Sequence, residues 1–377
     1  QTMHTAPTAQ RPLPPKTHGN DVSETRSDGL NDTFAERLIR WQKQHGRHNL
    51  PWHSRDPYRV WLSEIMLQQT QVATVAEYYP RFLAAFPTVA DLAAAPEDQV
   101  LALWQGLGYY SRARNLHKAA KQIVTEHGGT FPDSRAALET LSGVGRSTAA
   151  AIAAFAFHRR ETILDGNVKR VLCRVFARDG NPADKAFEQT LWTLAESLLP
   201  ADPAAMPAYT QGLMDLGATV CKRGKPQCAA CPMADICQAR AQGRTAELPR
   251  RKTPPAVQTL PLYWLILRRR DGALLLQKRP AKGIWGGLYC VPCFPTLAET
   301  QAAAARHGID SDGLEEQAPV THRLTHRLLL ITPYAAECPQ TPAAREENLS
   351  DGLWVPPQNL PDYGLPKPLA AYLDGKA

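Results

Sequence analysis

Four of the eight cysteines lie within seventeen residues, in the run CKRGKPQCAACPMADIC. They have the spacing C-x6-C-x2-C-x5-C and stand at Cys221, Cys228, Cys231 and Cys237. Four neighbouring thiolates can hold Zn²⁺ or an iron–sulfur cluster, because both prefer tetrahedral sulfur coordination. Structural zinc sites usually pair two short C-x2-C units and this run contains one, so the spacing favours a [4Fe–4S] cluster. A zinc site and four unrelated buried thiols remain the alternatives.

A second stretch, LSGVGRS, has the composition of a phosphate-binding turn. Gly143 and Gly145 flank Val144, and Arg146 and Ser147 begin an alanine-rich run. Glycines permit a tight turn whose backbone N–H groups approach a phosphate at the start of a helix. An ordinary turn between two helices has the same composition, so the stretch alone does not decide between the two interpretations.

Composition bounds the class of protein. The chain has 377 residues with 44% apolar content, which is typical of two domains with separate cores. Its net charge is +7, and residues 240–252 contribute +4 of it, which favours a polyanionic partner. No apolar run approaches the roughly 18 residues of a membrane span, and the N-terminus lacks a signal-peptide core. The remaining cysteines are scattered, as in a reducing compartment, so we expect a cytoplasmic protein: Cys173, Cys290, Cys293 and Cys338.

Hydrophobic periodicity predicts helices between residue 33 and about residue 237. Residues 1–32 are rich in Pro, Thr, Ser and Gly without a period, which predicts a disordered leader. YRVWLSEIMLQQT follows a helical period that leaves Glu64 off its apolar stripe, which consists of Tyr58, Trp61, Leu62, Ile65 and Met66. NVKRVLCRVF has the same period, with Asn167 as its expected N-cap.

The chain beyond residue 239 predicts a different kind of domain. Residues 240–258 are rich in Pro and Arg, as in a linker between domains. Two apolar runs around Asp271-Gly272 predict a β-hairpin, and RLLLITPYAA and GLWVPP predict further strands. The alanine-rich residues 297–306 predict a helix. We therefore expect a small α+β domain at residues 259–377.

Several separated motifs resemble one family. LSGVGRSTAAAI, LDGNVKR and the cysteine run resemble the helix-hairpin-helix DNA glycosylases related to endonuclease III. LPWHSRDPYRVWLSEIMLQQTQVATV, GLGYYSRARNLHKAA and WGGLYCVP are similar to the adenine DNA glycosylases of the MutY type, and the likeness spans about residues 34–360. The resemblance implies an all-α helix-hairpin-helix catalytic domain with a [4Fe–4S] loop at residues 33–239, followed by the linker and a Nudix-like lesion-recognition domain.

The resemblance also implies a reaction, hydrolysis of the N-glycosidic bond of adenine mispaired with 8-oxoguanine or guanine in duplex DNA. Such a bond breaks through an oxocarbenium-like state, which needs an acid for the leaving base and an anion near the sugar. By resemblance Glu64 is the acid, Asp165 stabilises the sugar cation and Asn167 supports it. The alternative for Glu64 is an ordinary exposed helix carboxylate, and the alternative for Asp165 is a capping residue.

Further residues match positions that contact DNA in this family. The adenine pocket would comprise Trp52, Leu67 and Gln211, and Gln69 and Tyr109 would intercalate; for Trp52 and Leu67, core packing is the alternative. The positions that would contact the DNA backbone are Gly143, Gly145, Arg146, Ser147, Lys222, Arg223 and Lys225.

Leu324, Thr325 and His326 match the family's loop that reads 8-oxoguanine. That loop usually reads Phe-Ser-His, so Leu324 removes an aromatic ring that could stack. The Nudix sequence G-x5-E-x7-R-E-x2-E-E is missing from this chain, so we expect recognition rather than pyrophosphate hydrolysis. Cys290 and Cys293 lack the second pair of a zinc site and are expected to be thiols at strand edges.

Two rival functions make different predictions. A lyase of the endonuclease III type would carry Lys where this chain has Ser147 and would lack a C-terminal domain. A non-catalytic iron–sulfur DNA sensor would lack Glu64 or Asp165. We therefore expect a glycosylase without efficient β-lyase activity. It would be a monomer that binds duplex DNA and no membrane, in the cytoplasm of a bacterium at the nucleoid.

Overall fold

A computed structural model describes residues 24–250, 256–338 and 352–375, with side chains from Phe34 onward. The leader predicted for residues 1–32 lies mostly outside this range, and its last residues, from Glu24, belong to the first helix instead. No helix of the described residues is long and apolar enough to cross a membrane.

The N-terminal part is helical, as the periodicity predicts. Its helices are α1 (Glu24–His45), α2 (Pro57–Leu67), α3 (Val72–Ala85), α4 (Val89–Ala94), α5 (Glu97–Leu103), α6 (Ser111–His127), α7 (Arg135–Leu138), α8 (Arg146–Phe157), α9 (Gly166–Val175), α10 (Lys185–Ser197), α11 (Met206–Asp215) and α12 (Gln238–Ala241). A single π-helical segment, Leu216–Val220, extends α11 towards the cysteine run. We call residues 24–250 the helical part.

Capping fixes where the two helices that carry the predicted acids begin. Asp56 accepts hydrogen bonds from the backbone N–H groups of the first turn of α2, and the predicted apolar stripe of that helix is buried. In α9 the cap is Asp165, whose Oδ1 accepts from Asn167 N at 2.9 Å and Val168 N at 2.8 Å. The prediction that Asn167 is the N-cap is wrong, because α9 already begins at Gly166 and Asn167 therefore lies inside its first turn.

Two apolar clusters form the core of the helical part. One contains Trp61, Phe82 and Trp104, and the other contains Phe34 and Tyr209. The alanines of α8 divide between the two clusters, because small side chains on every face let helices approach from both sides. A seam between the two clusters therefore runs along α8.

The C-terminal part, residues 256–375 where described, is an α+β unit with one mixed sheet. Its strands are β1 (Gln258–Arg269), β2 (Leu274–Lys278), β3 (Tyr289–Cys290), β4 (Cys293–Phe294), β5 (Glu315–Glu316), β6 (Val320–Arg323), β7 (Arg327–Cys338) and β8 (Leu353–Val355). β1 pairs in parallel with β7 and antiparallel with β2, which confirms the hairpin at Asp271-Gly272. The predicted helix is α13 (Leu297–Arg306), and α14 (Lys367–Leu373) follows near the end.

The first half of the predicted linker packs on the helical part. Arg174 Nε donates to the carbonyl oxygen of Leu248 at 2.9 Å. Arg244 and Arg250 both form ion pairs with Asp179. These guanidinium groups hold the pKa of the Asp179 carboxyl well below its usual range. Part of the positive charge of residues 240–252 is therefore neutralised by ion pairs within the chain and is less available to a partner.

The two parts also touch directly. Asp98 accepts hydrogen bonds from Lys278 Nζ at 2.6 Å and from Tyr289 OH at 3.1 Å. Gln105 Oε1 accepts from the backbone N–H of Leu365, and Leu288 is buried within the first helical cluster. The C-terminal part therefore lies against α5 and the loop after it, which carries the predicted intercalating residue Tyr109.

Candidate active site and DNA-facing surface

A cleft with a volume of about 420 Å³ opens at the seam between the two helical clusters. It is lined by four predicted site residues, Trp52, Glu64, Leu67 and Gln211. Segments far apart in sequence meet here, namely the chain after α1, helix α2 and helix α11. The cleft is large enough for a purine base, and its lining combines apolar side chains with an equal number of polar or charged ones.

Glu64 places its carboxyl group in this cleft. Burial raises the pKa of the Glu64 carboxyl from 4.5 to about 8, and the negative charge of Asp165 adds to the rise. At neutral pH the carboxyl is therefore protonated and able to donate its proton. A raised pKa of this kind is how enzymes keep a carboxylic acid available for general acid catalysis.

Asp165 lies close enough to Glu64 to act on its charge, but neither Asp165 nor Asn167 lines the cleft. Asp165 uses its Oδ1 for the α9 cap, and Asn167 Nδ2 donates to its Oδ2 at 3.4 Å. Arg170 Nη2 in turn donates to Asn167 Oδ1 at 2.9 Å. A Cβ on Gly217 would lie 2.6 Å from Asn167 Cβ, so Gly217 leaves the space that Asn167 occupies. The capping and catalytic interpretations of Asp165 are compatible, because its Oδ2 is free of the cap.

A buried ion pair lies behind Gln211. Asp215 is fully buried and accepts from Arg47 Nε at 2.7 Å and from Arg47 N at 2.9 Å. Gln211 Nε2 donates to the same carboxylate at 2.8 Å. Neither Arg47 nor Asp215 was predicted from the sequence. The i, i+4 spacing of Gln211 and Asp215 on a helix is the signal that could have found Asp215.

The two predicted intercalating residues stand on adjoining loops. Gln69 has φ 58° and Tyr109 has φ 48°, both in the left-handed region, and both side chains are exposed. Buried Arg112 joins these loops. On one side its guanidinium donates to the carbonyl oxygens of Ile65 and Met66 at the end of α2 and to Thr70 Oγ1 in the loop that follows. On the other side it donates to the carbonyl oxygens of residues 107 and 108. Arg112 was also missed, since nothing in its local pattern marks a buried cation.

The residues predicted to read the lesion occupy the turn between β6 and β7. Thr325 Oγ1 lies 3.1 Å from Tyr109 OH, so this turn touches a predicted intercalating residue. His326 is exposed, whereas Leu324 is half-buried against the C-terminal core. Leu324 is therefore a packing residue as well as a predicted reading residue.

The glycine turn before α8 has the predicted geometry, with one qualification. Gly143 has φ 78°, and Gly145 caps α8. Ser147 Oγ accepts from Leu164 N at 3.0 Å, and the Arg146 guanidinium stacks on a tryptophan and pairs with Glu196. These two side chains are engaged within the protein, so the backbone N–H groups are the better candidates for phosphate contact. By contrast, Lys222, Arg223 and Lys225 are exposed.

The four clustered cysteines line one small cavity with apolar neighbours from α9 and the end of α11. Burial raises the pKa of the Cys231 thiol to about 11, and the other three thiols contribute. Arg174 donates to Cys221 Sγ at 3.5 Å. Among the described residues no three His, Cys, Asp or Glu side chains are arranged as a metal site. Four thiols facing one apolar cavity beside an arginine are nevertheless a donor set suited to a soft, thiolate-bound group.

The other cysteine pair stands at neighbouring strand ends. Cys290 ends β3 and Cys293 begins β4, with their Sγ atoms 3.5 Å apart. Cys290 is buried, which raises the pKa of its thiol well above the usual value.

Comparison with known proteins decides the family. Residues 62–197 match the HhH-GPD superfamily base excision DNA repair protein family, and residues 263–375 match the NUDIX domain. The adenine DNA glycosylase of Buchnera aphidicola subsp. Acyrthosiphon pisum (strain APS) is 34% identical over 344 residues, which are 90% of this chain and 97% of that protein. The chain belongs to the adenine DNA glycosylase family.

Two further similarities fit this membership. The adenine DNA glycosylase of Homo sapiens is 44% identical over 225 residues, 57% of this chain and 41% of that protein. The solved structure of a thermostable thymine-DNA glycosylase is 28% identical with a TM-score of 0.51, and the match covers 58% of this chain and 98% of that one. The predicted fold class, a helical glycosylase domain followed by a Nudix-like α+β domain, is confirmed.

As a member of the adenine DNA glycosylase family, the chain is a base-excision repair enzyme that hydrolyses N-glycosidic bonds and binds DNA. Its chemistry should depend on pH through Glu64. An acid must be protonated to act, and Glu64 loses its proton as the pH passes about 8. We expect kcat/KM for base release to fall about tenfold per pH unit above that value.

The pH measurement needs a control for unfolding. DNA affinity and the melting temperature, measured over the same range, should stay nearly constant where the rate falls. A kcat/KM that is flat to pH 9.5 would contradict the assignment of Glu64 as the acid.

Proposed function

We propose that this enzyme removes adenine mispaired with 8-oxoguanine or guanine from duplex DNA, acting as a monomer on the bacterial nucleoid in the cytoplasm. The observation that carries the proposal is a protonated Glu64 in a cleft of purine size. We assign residues 33–239 to the catalytic domain, 240–258 to the linker and 259–377 to lesion recognition. Because α1 begins at Glu24, residues 24–32 belong to the catalytic domain as well, which extends it beyond the predicted start at residue 33.

In the proposed reaction the extruded adenine lies between the apolar walls formed by Trp52 and Leu67, with Gln211 at its polar edge. Glu64 donates its proton to the base, which lets the N-glycosidic bond break with the electron pair leaving on adenine. Asp165, held by Asn167, stabilises the positive charge that develops on the sugar. A water molecule then attacks the sugar, and the Glu64 carboxylate formed in the first step takes the proton from that water.

DNA handling is divided among three surfaces. Gln69 and Tyr109 would enter the base stack and keep the adenine outside the duplex, which every glycosylase must do to reach its bond. The backbone N–H groups of the 143–147 turn and the exposed side chains of Lys222, Arg223 and Lys225 would bind phosphates. Leu324, Thr325 and His326 would read the base opposite the adenine.

We further propose that Cys221, Cys228, Cys231 and Cys237 hold a [4Fe–4S] cluster. Such a cluster supplies no step of a hydrolysis and would shape the loop that carries the three exposed cations. The purified protein should therefore be brown, with an absorbance band at about 400 nm and about four iron atoms per chain. Stoichiometric zinc without iron after anaerobic purification would contradict this assignment.

The decisive experiment for the function is base release from matched duplexes carrying A:8-oxoG, A:G or A:C. We expect release in the first two and strand cleavage only after alkali, because a β-lyase needs an amine nucleophile and this chain has Ser147 at the relevant position. Ser147 carries a hydroxyl group, which cannot form an imine, and the Lys169 ammonium is paired with Glu188, so neither side chain supplies the amine nucleophile. Efficient borohydride trapping through one lysine, with nicking that needs no alkali, would favour the lyase alternative.

A further inference from the structure

The buried carboxylate of Asp215 determines how the Gln211 amide is oriented at the edge of the cleft. It receives three hydrogen bonds, from Arg47 N, Arg47 Nε and Gln211 Nε2, at 2.9, 2.7 and 2.8 Å. An ionised carboxylate only accepts hydrogen bonds. The side of Gln211 that faces Asp215 must therefore be its NH₂ group.

This constraint sets which amide atom of Gln211 is available to a ligand. A carboxamide carries one NH₂ group and one oxygen on opposite sides, so an NH₂ group held by Asp215 turns Oε1 away from Asp215. Gln211 lines the cleft, and within the described residues no donor bonds its Oε1. The cleft therefore presents a hydrogen-bond acceptor to the base, and the amide cannot reverse while Asp215 is charged.

We propose that Asp215 is a positioning residue that locks the amide of Gln211, so that the cleft selects purines with a 6-amino group over purines with a 6-oxo group. The proposal rests on the proposed function, since it requires the base to enter this cleft. The amino group of adenine donates to Gln211 Oε1. The 6-oxygen of hypoxanthine would meet that oxygen as a second acceptor, and a buried polar group left without a partner is a strong means of rejection.

The groups around Asp215 hold its carboxylate in one position. One of the three donors is the backbone N–H of Arg47, which cannot rotate away from Asp215 Oδ2. A Cβ on Gly46 would lie 3.0 Å from Asp215 Oδ2 and 2.5 Å from the carbonyl oxygen of Gln42, so the chain passes close over the carboxylate. Asp215 is thus held by both α11 and the end of α1.

The rigid backbone donor makes the effect of one substitution specific. In Asp215→Asn the side-chain oxygen must face Arg47 N, because only the oxygen can accept from that backbone N–H group. Arg47 Nε, which bonds Oδ1 in the wild type, stands on a side chain that can turn away from the new NH₂ group. The new NH₂ group then faces Gln211, whose amide reverses and shows its own NH₂ group to the cleft. The variant should therefore accept hypoxanthine better and adenine worse.

The test measures single-turnover base release by the full-length enzyme from duplexes in which 8-oxoguanine faces deoxyadenosine, deoxypurine or deoxyinosine. For the wild type we expect the order adenine, purine, hypoxanthine, with adenine released at least about 100-fold faster than hypoxanthine. In Asp215→Asn this ratio should fall at least about tenfold. In Gln211→Leu, which leaves Asp215 in place, it should also fall. Because the ratio is taken within each variant, a general loss of stability does not change it.

Each outcome supports or overturns the proposal. A folded Asp215→Asn or Gln211→Leu protein with the wild-type ratio overturns it. If Asp215→Asn does not fold, the wild-type series still decides, since purine or hypoxanthine released as fast as adenine contradicts an acceptor at the cleft edge. A wild type that releases no adenine opposite 8-oxoguanine refutes the proposed function instead, which separates the two failures.

Discussion

Glu64→Gln should abolish adenine release, with a loss of at least about a thousandfold in the single-turnover rate. The amide keeps the shape of the protonated carboxyl but is far too weak an acid to protonate a leaving base. Duplex binding should change by less than about twofold, since the side chain lies in the base cleft and adds no charge while protonated. Rates from a labelled A:8-oxoG duplex and affinities from titration of the same duplex test both statements.

The same substitution should stabilise the folded protein. The pKa of Glu64 is raised in the folded state, so above its unfolded pKa of about 4.5 the unfolded chain is ionised while the folded one remains protonated. This difference destabilises the wild type increasingly between pH 4.5 and pH 8, and Gln removes it. We expect Glu64→Gln to gain about 1–3 kcal/mol at pH 7 and almost nothing at pH 4. Near-wild-type turnover of Glu64→Gln would contradict the role of Glu64 as the acid. No gain in the free energy of unfolding at pH 7 would contradict its raised pKa.

The second large effect is expected at Arg112. Arg112→Met should lower the free energy of unfolding by about 3–5 kcal/mol, because it removes the charged half of a buried network and leaves carbonyl oxygens unpaired. Burial lowers the pKa of Arg112 to about 10, so the guanidinium is still charged at neutral pH. Adenine release should fall as well, since Arg112 joins the loops of Gln69 and Tyr109. Denaturant unfolding and single-turnover kinetics are the measurements.

Two further variants serve as controls for the Arg112→Met measurements. Arg112→Lys keeps the charge, but its single ammonium cannot reach both loops, so it should recover little of the loss. Lys118→Met lies on the same helix with an exposed side chain and should change stability by less than about 0.5 kcal/mol. If Arg112→Met behaves like Lys118→Met, the bridge between the loops has no energetic importance.

Much of the fold followed from local patterns in the sequence. The stripe of α2, the helix α13 and the hairpin at Asp271-Gly272 were all predicted, because each rests on a periodicity or a turn signal within about a dozen residues. The Asn167 cap was wrong because Asp165 offers the same chemistry two residues earlier, and only the backbone geometry decides between them.

The site was predictable only in part, for a physical reason. Glu64 and Gln211 were identified through motifs, but the cause of the raised pKa of Glu64 is burial at a seam between two clusters. The bond between Arg47 and Asp215 joins residues 168 positions apart, and no local period records such a contact. The roles of Arg146 and Ser147 at the DNA backbone stay predictions, since their side chains bond within the protein.

The anchoring of the linker on Asp179 and Arg174 shortens the tether between the two domains. Arg250 is held on the helical domain, and six peptide links join it to Ala256 just before β1, which limits that span to about 22 Å. A domain confined to such a volume has an effective concentration on the order of 10 mM near its docking site. If the Asp98 contacts open, reclosure is therefore intramolecular, and the domain proposed to read the opposite base stays within a short distance of the cleft.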